Sequence, residues 1–136
     1  MKVFIDTNIL IDFVTNRVGF SEDADKLFAL GVTGDIKLMT SALSYVTAMY
    51  VAHKYGYQNV KEALISVSNF VEVLDLQGNT VIEMLSSDWK DYEDATQNIT
   101  ALKALADCIV TRNQKDFSDS SLPVYTPAEF LYILNQ

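Results

Sequence analysis

The sequence predicts an α/β domain built on a mostly parallel sheet, and three observations carry that reading. Short apolar runs that suit buried strands alternate along the chain with longer stretches of helical periodicity. No repeat with a period of about 20 to 50 residues, and no low-complexity linker, interrupts the alternation. With 136 residues, 49% of them hydrophobic and 21% charged, the chain suits one compact domain, residues 1–136, around a single core.

Taken in order, "KVFID" (2–6) reads as a short apolar strand. "SEDADKLFALGV" (21–32) reads as a helix, with Ser21 as its cap, an acidic first turn, Leu27 and Leu30 on the core side, and Gly31 or Gly34 as its stop. "IKLMT" is a second strand that leads through Ser41 and Ser44 into the helix "YVTAMYVAHKY", where Tyr45, Met49 and Ala52 fall at helical spacing before Gly56. Residues 58–70 form another amphipathic helix, "VEVLDL" another strand, and "GNTVIEMLSS" a capped segment. In "DYEDATQNITALKALA", Ala95, Ile99 and Leu102 mark a core-facing stripe. "CIVT" is the next strand, followed by the polar loop "RNQKDFSDSS", a short edge strand "PVYT" and a helix started by Pro127.

Composition narrows the functions. No stretch approaches the roughly 18 apolar residues that would span a bilayer, and Asp6 inside the early apolar run is unlike a signal peptide, so a cytoplasmic protein without membrane association is expected. The single Cys108 has no disulfide partner and reads as a small core residue, while the lone His53 argues against a His/Cys zinc site. A formal charge of −8 disfavours broad, nonspecific binding to nucleic acid, but it leaves a metal-assisted site open.

The acids supply the chemistry. Asp6 ends an apolar strand, and a buried carboxylate is costly unless it is paired, hydrogen-bonded or metal-bound. In open parallel sheets ligands bind beyond the carboxyl ends of the strands. Asp6 lies at that end of the first strand, and Thr111, Arg112, Asn113 and Asp116 lie just past the same end of "CIVT". Asp94 begins the helix before that strand, with Asp91 three residues earlier and close to one face. Three carboxylates in one cleft repel one another, and an oxygen-only cluster suits Mg2+ or Mn2+. Such a cluster can activate a water nucleophile and stabilise charge on a phosphodiester, with Thr7 and Asn8 fixing the Asp6 rotamer. Asp107 reads as a turn residue at the opposite end of the sheet, Asp12 as a partner for Arg17 or Asn8, and Glu93 as directed away from the Asp94 face. The tyrosines Tyr45, Tyr50, Tyr55 and Tyr57 read as core or interface packing.

The segments "DTNILIDF", "TSALSYVTAMYVAHK", "DYEDATQNITALKALADCIVTRNQKDF" and "PVYTPAEFL" together resemble the PIN-domain family, the fold of many small metal-dependent ribonucleases, including VapC-type toxins of toxin–antitoxin pairs. The resemblance implies a three-layer α/β/α fold with a mostly parallel sheet of four to five strands. It also implies an RNA substrate, an antitoxin partner and a homodimer. The family's first, third and fourth acids match Asp6, Asp94 and Asp116, and Asn113 is an additional ligand or hydrogen-bond donor. The family's second acid, a Glu about six residues beyond the Ser at the start of the helix, is missing: counting from Ser41 reaches Thr47, which carries no negative charge and is no general base near neutral pH. The leading expectation is therefore a Mg2+- or Mn2+-dependent endoribonuclease. The alternative is a degenerate domain that binds RNA or protein without cutting, and a structure-specific DNA nuclease is a weaker third reading.

Overall fold

The computed structural model describes residues 1–136 and forms one five-stranded, all-parallel sheet in the order β3-β2-β1-β4-β5. The strands are β1 (Lys2–Ile5), β2 (Lys37–Ser41), β3 (Val71–Leu74), β4 (Cys108–Val110) and β5 (Val124–Tyr125). Because successive side chains leave a strand on opposite faces, β1 sends Val3 and Ile5 one way and Phe4 the other. Val3 and Ile5 join Leu38, Val71, Cys108 and Val110 in a cluster of 17 buried residues. That cluster is roofed by α1 (Thr7–Val14), α2 (Ser21–Thr33), α3 (Ala42–Tyr55), α4 (Val60–Val67) and α7 (Pro127–Leu134). Phe4 joins Met39, Ile109, Ala101 and Phe117 on the opposite face, beneath α6 (Tyr92–Lys103). The core is thus two clusters separated by the sheet, and the three-layer α/β/α expectation is met. α5 (Gly78–Leu85) packs on α6.

Several local expectations are corrected. Residues 7–14 carry no predicted element but form α1: Asp6, in extended backbone, ends the strand and caps the helix by accepting from the Thr7 amide. Ser21 is the first helical residue of α2 and makes no capping bond. Phe20 occupies the cap position, and Glu22 and Asp23 supply the negative charge that favours a helix N-terminus. Gly34, at φ 83°, closes α2 in the left-handed conformation that glycine adopts without strain. Gly31 lies inside the helix, where a Cβ would come within 2.5 Å of Leu38 Cδ1. In α6 the buried side runs through Ala95, Gln97 and Ala101, while Leu102 is exposed. That helix passes over the polar end of β1 and β2, so its buried face is matched to hydroxyls and amides as well as to aliphatic groups. The "polar loop" after β4 contains a 3-10 turn, Gln114–Phe117, anchored by the buried Phe117 ring, which meets Trp89 edge-on at 5.9 Å. Cys108 is buried in the core as expected, and burial pushes its thiol up to about 12.

Candidate functional site at the carboxyl edge of the sheet

β1 and β4 are hydrogen-bonded neighbours, so the segments that follow them emerge side by side. Asp6 leaves β1 through a bond from its amide to the Val110 carbonyl at 2.9 Å. Its side chain is buried, and both oxygens are held. Oδ1 accepts from the Thr7 amide at 2.8 Å, and Oδ2 accepts from Thr111 Oγ1 at 2.8 Å. Burial raises the Asp6 carboxyl above its ordinary value, while the bonds from Thr111, Thr7 and Gln97 oppose that shift. The Thr111 hydroxyl is a junction. It also accepts from the Asn113 amide at 3.1 Å and from Asn8 Nδ2 at 3.4 Å, and Asn8 Oδ1 accepts from the Arg112 amide at 3.4 Å.

Asp6 opens into a cleft of about 280 Å³ whose other walls carry Asp91, Glu93, Asp94, Asp116 and Asn113, with Thr47 among them. Asp91 caps α6, its Oδ1 accepting from the Asp94 amide at 3.0 Å. The α6 start therefore directs Glu93 and Asp94 toward Asp6, while the turn after β4 supplies Asp116. Burial, then Asp6, Asp91, Asp116 and Glu93 in that order, push the Asp94 carboxyl up to about 7. Glu93 is raised first by burial and then by Asp6 and Asp91, against a bond with Thr7. It faces the cleft, contrary to the outward orientation expected from its place beside Asp94, because a residue in the first turn is not constrained by the buried stripe farther along the helix. The acids share one cleft without forming a closed cage: no three His, Cys, Asp or Glu side chains group tightly enough to hold an ion. Their chemistry is nonetheless all-oxygen and mutually repulsive, which fits a hard divalent cation such as Mg2+ or Mn2+.

A family model described as PIN domain matches residues 2–115. The chain belongs to the PIN-domain family. This family is generally one of ribonucleases, and toxins of toxin–antitoxin pairs are among its members. No curated protein matches the sequence. Solved structures similar to this PIN domain include VapBC2 from Rickettsia felis bound to a DNA fragment from its promoter, with a TM-score of 0.66 and 15% identity over 91% of this chain and 97% of that one. A toxin–antitoxin complex from Klebsiella pneumoniae aligns with a TM-score of 0.65 and 24% identity, over 92% of this chain and 97% of that one. VapBC-1 from nontypeable Haemophilus influenzae aligns with a TM-score of 0.64 and 22% identity, over 94% and 99%.

Two arrangements of this PIN domain escaped sequence reasoning. Beneath the cleft, fully buried Gln97 joins three elements: its Nε2 donates to Ser44 Oγ at 2.6 Å and to Thr7 Oγ1 at 3.1 Å, and its Oε1 accepts from Ser41 Oγ. Ser41 thus lies under the cleft and not on its wall. No sequence signal marked Gln97, because it lies about 200° around the helix from Ala95, opposite the stripe of Ala95, Ile99 and Leu102 expected to face the core. The second arrangement involves Arg112, which turns away from the acids. Its Nε donates to Asp12 Oδ2 at 2.6 Å and its Nη2 to Asp12 Oδ1 at 3.3 Å, while its guanidinium stacks 4.2 Å from the Phe20 ring centre. Asp12 also approaches Arg17 at 4.0 Å, the partner expected from sequence, but Arg112 is the closer one. Asp107 sits at the opposite edge as expected, accepting from the Lys2 amide at 2.7 Å.

Proposed function

We propose that this PIN domain is a Mg2+- or Mn2+-dependent endoribonuclease and the toxin half of a toxin–antitoxin pair. The observation that carries the reading is the shared cleft of Asp6, Asp94 and Asp116 at the carboxyl edge of the sheet. In this reading Asp6, Asp94 and Asp116 would hold the cation by drawing closer together than they stand here, with Asn113 as an added oxygen donor. The bound cation would supply charge neutralisation for the phosphodiester and acidify a water molecule. The protein's own share is positional. Thr111 and the Thr7 amide fix Asp6, the Asp91 cap fixes the start of α6, and the Gln97 network holds the floor rigid. Glu93, facing the cleft, stands in for the negative charge that Thr47 lacks. The neighbouring toxin–antitoxin complexes support a protein antitoxin as partner. A single cytoplasmic domain that pairs with a second copy completes the reading. It is consistent with the absence of any helix long and apolar enough to cross a membrane.

Calorimetric titration with Mn2+ tests the site before the preferred RNA is known. Saturable binding by the wild type, lost in Asp6→Asn, is the expected result, and absence of binding by the folded wild type would overturn it. Thr47 on the cleft wall favours a second reading, a binding module that has lost catalysis. Under that reading Thr47→Glu creates metal binding that the wild type lacks.

A further inference from the structure

Beyond Asp91 and Asp116 the acidic cleft opens into a second cavity of about 420 Å³, and both residues line the two spaces. Its walls carry Lys90 and Lys115 together with Trp89 and Ser118. Lys90 immediately precedes the α6 cap, and Lys115 stands in the 3-10 turn beside Asp116, so two separate segments each bring one ammonium to the same side of the cleft. Four carboxylates, Asp88, Asp91, Asp116 and Asp119, share these walls, yet neither lysine comes within 4.0 Å of any of them. The arginines nearest the site are differently disposed, since Arg17 and Arg112 are both engaged by Asp12. In a chain of net charge −8, these are the cations left to meet an anion entering beside the acids.

We propose that this cavity is the subsite for one nucleotide next to the scissile bond of a single-stranded RNA, with Lys90 and Lys115 meeting its phosphate and Trp89 forming the wall beside its base. The inference rests on the ribonuclease reading. A cavity of this size takes one splayed nucleotide and not a duplex, in keeping with recognition of unpaired RNA by stacking and phosphate contacts. The four carboxylates make the affinity modest, and two lysines give it a shallow salt dependence, with a slope of about −0.7 for each phosphate neutralised. They also favour bound RNA only where a phosphate reaches the ammoniums, which sets the path of the strand.

Trp89 is the chain's one tryptophan, so emission excited at the red edge of its absorption, beyond that of the seven tyrosines, reports this cavity alone. The test uses a single-stranded RNA of random sequence, about 10 nucleotides long, in EDTA so that no cleavage occurs. Anisotropy of labelled RNA measures total binding, and Trp89 emission with unlabelled RNA measures occupancy of the cavity. The expected result is a saturable change in emission with the same midpoint as the anisotropy. In Lys90→Gln/Lys115→Gln, the slope of log affinity against log salt should fall by about 0.7 per lysine. Lys61→Gln, which removes one charge on the distant α3–α4 surface, should leave both readouts unaltered. Binding with unchanged Trp89 emission, or equal weakening by Lys61→Gln, would remove the subsite while leaving the ribonuclease reading in place. Failure of the RNA to bind at all would overturn the subsite, and Mn2+ titration of a separate, EDTA-free sample would decide the ribonuclease reading on its own.

Discussion

At the scale of single residues, the site depends on hydrogen bonds that hold charge in place. Thr111 donates to Asp6 Oδ2 and accepts from two groups at once, so its hydroxyl couples β1, the start of α1 and the segment after β4. Thr111→Val keeps the shape and removes the donor from a buried carboxylate, which costs on the order of 1–3 kcal/mol. Urea unfolding should show that loss, and Mn2+ affinity should fall with it. Asp12 makes a sharper case. It is 1% exposed and compensates Arg112, so Asp12→Ala leaves a part-buried guanidinium without its partner and should cost about 3–5 kcal/mol. Retention of wild-type stability in that variant would show that Arg112 finds another partner. Asp94 gives the pH dependence. Its carboxyl is raised to about 7 in the folded chain, above the ordinary 3.8, chiefly by burial and then by its acidic neighbours. The folded state therefore holds a proton that the unfolded state releases between those values. Stability falls as pH rises from about 4 toward 7 and levels off above. Melting in EDTA should occur at higher temperature near pH 5 than near pH 8, and Asp94→Asn should flatten that difference.

At the scale of elements, β1, β2 and β4 were legible in the sequence because each is a short apolar run largely buried on both faces, while the edge strands β3 and β5, only partly covered, were legible as short valine-bearing runs. The helices α2, α3 and α7 were legible from periodicity with their glycine or proline boundaries. α1 was not, because "TNILIDFV" is apolar on nearly every side and reads as a continuation of the strand. What ends β1 there is the Asp6 cap, a side-chain bond that periodicity does not encode. The same holds for the site. Asp6, Asp94, Asp116 and Thr47 were recognisable from motif spacing, and they line one cleft. Glu93 and Gln97 were not, since their roles depend on the rotation of α6 against the sheet. Gly31 shows how closely α2 is fitted. Alanine there would gain about 1 kcal/mol of helix propensity, but its Cβ would meet Leu38 at 2.5 Å, and overpacking costs about 1–3 kcal/mol. Gly31→Ala should therefore lower the thermal midpoint; a rise would mean that Leu38 moves aside freely.

At the scale of the whole molecule, the order β3-β2-β1-β4-β5 places the first strand of the sequence at the centre of the sheet. Its right-hand neighbour, β4, begins at Cys108, and the bond from Thr111 to Asp6 spans 105 positions. Contacts of such long sequence separation form late, after the loop-closure entropy of the intervening chain has been met. During synthesis, a ribosome that has released the first hundred residues has therefore released every acid of the α6 region, but not the strand and threonine that hold Asp6 beside them. The cleft is absent from the nascent chain and comes into being only as the last strands leave the exit tunnel. An enzyme that cuts RNA would thus be harmless to its own message and to the machine translating it for as long as β4 remains inside the tunnel.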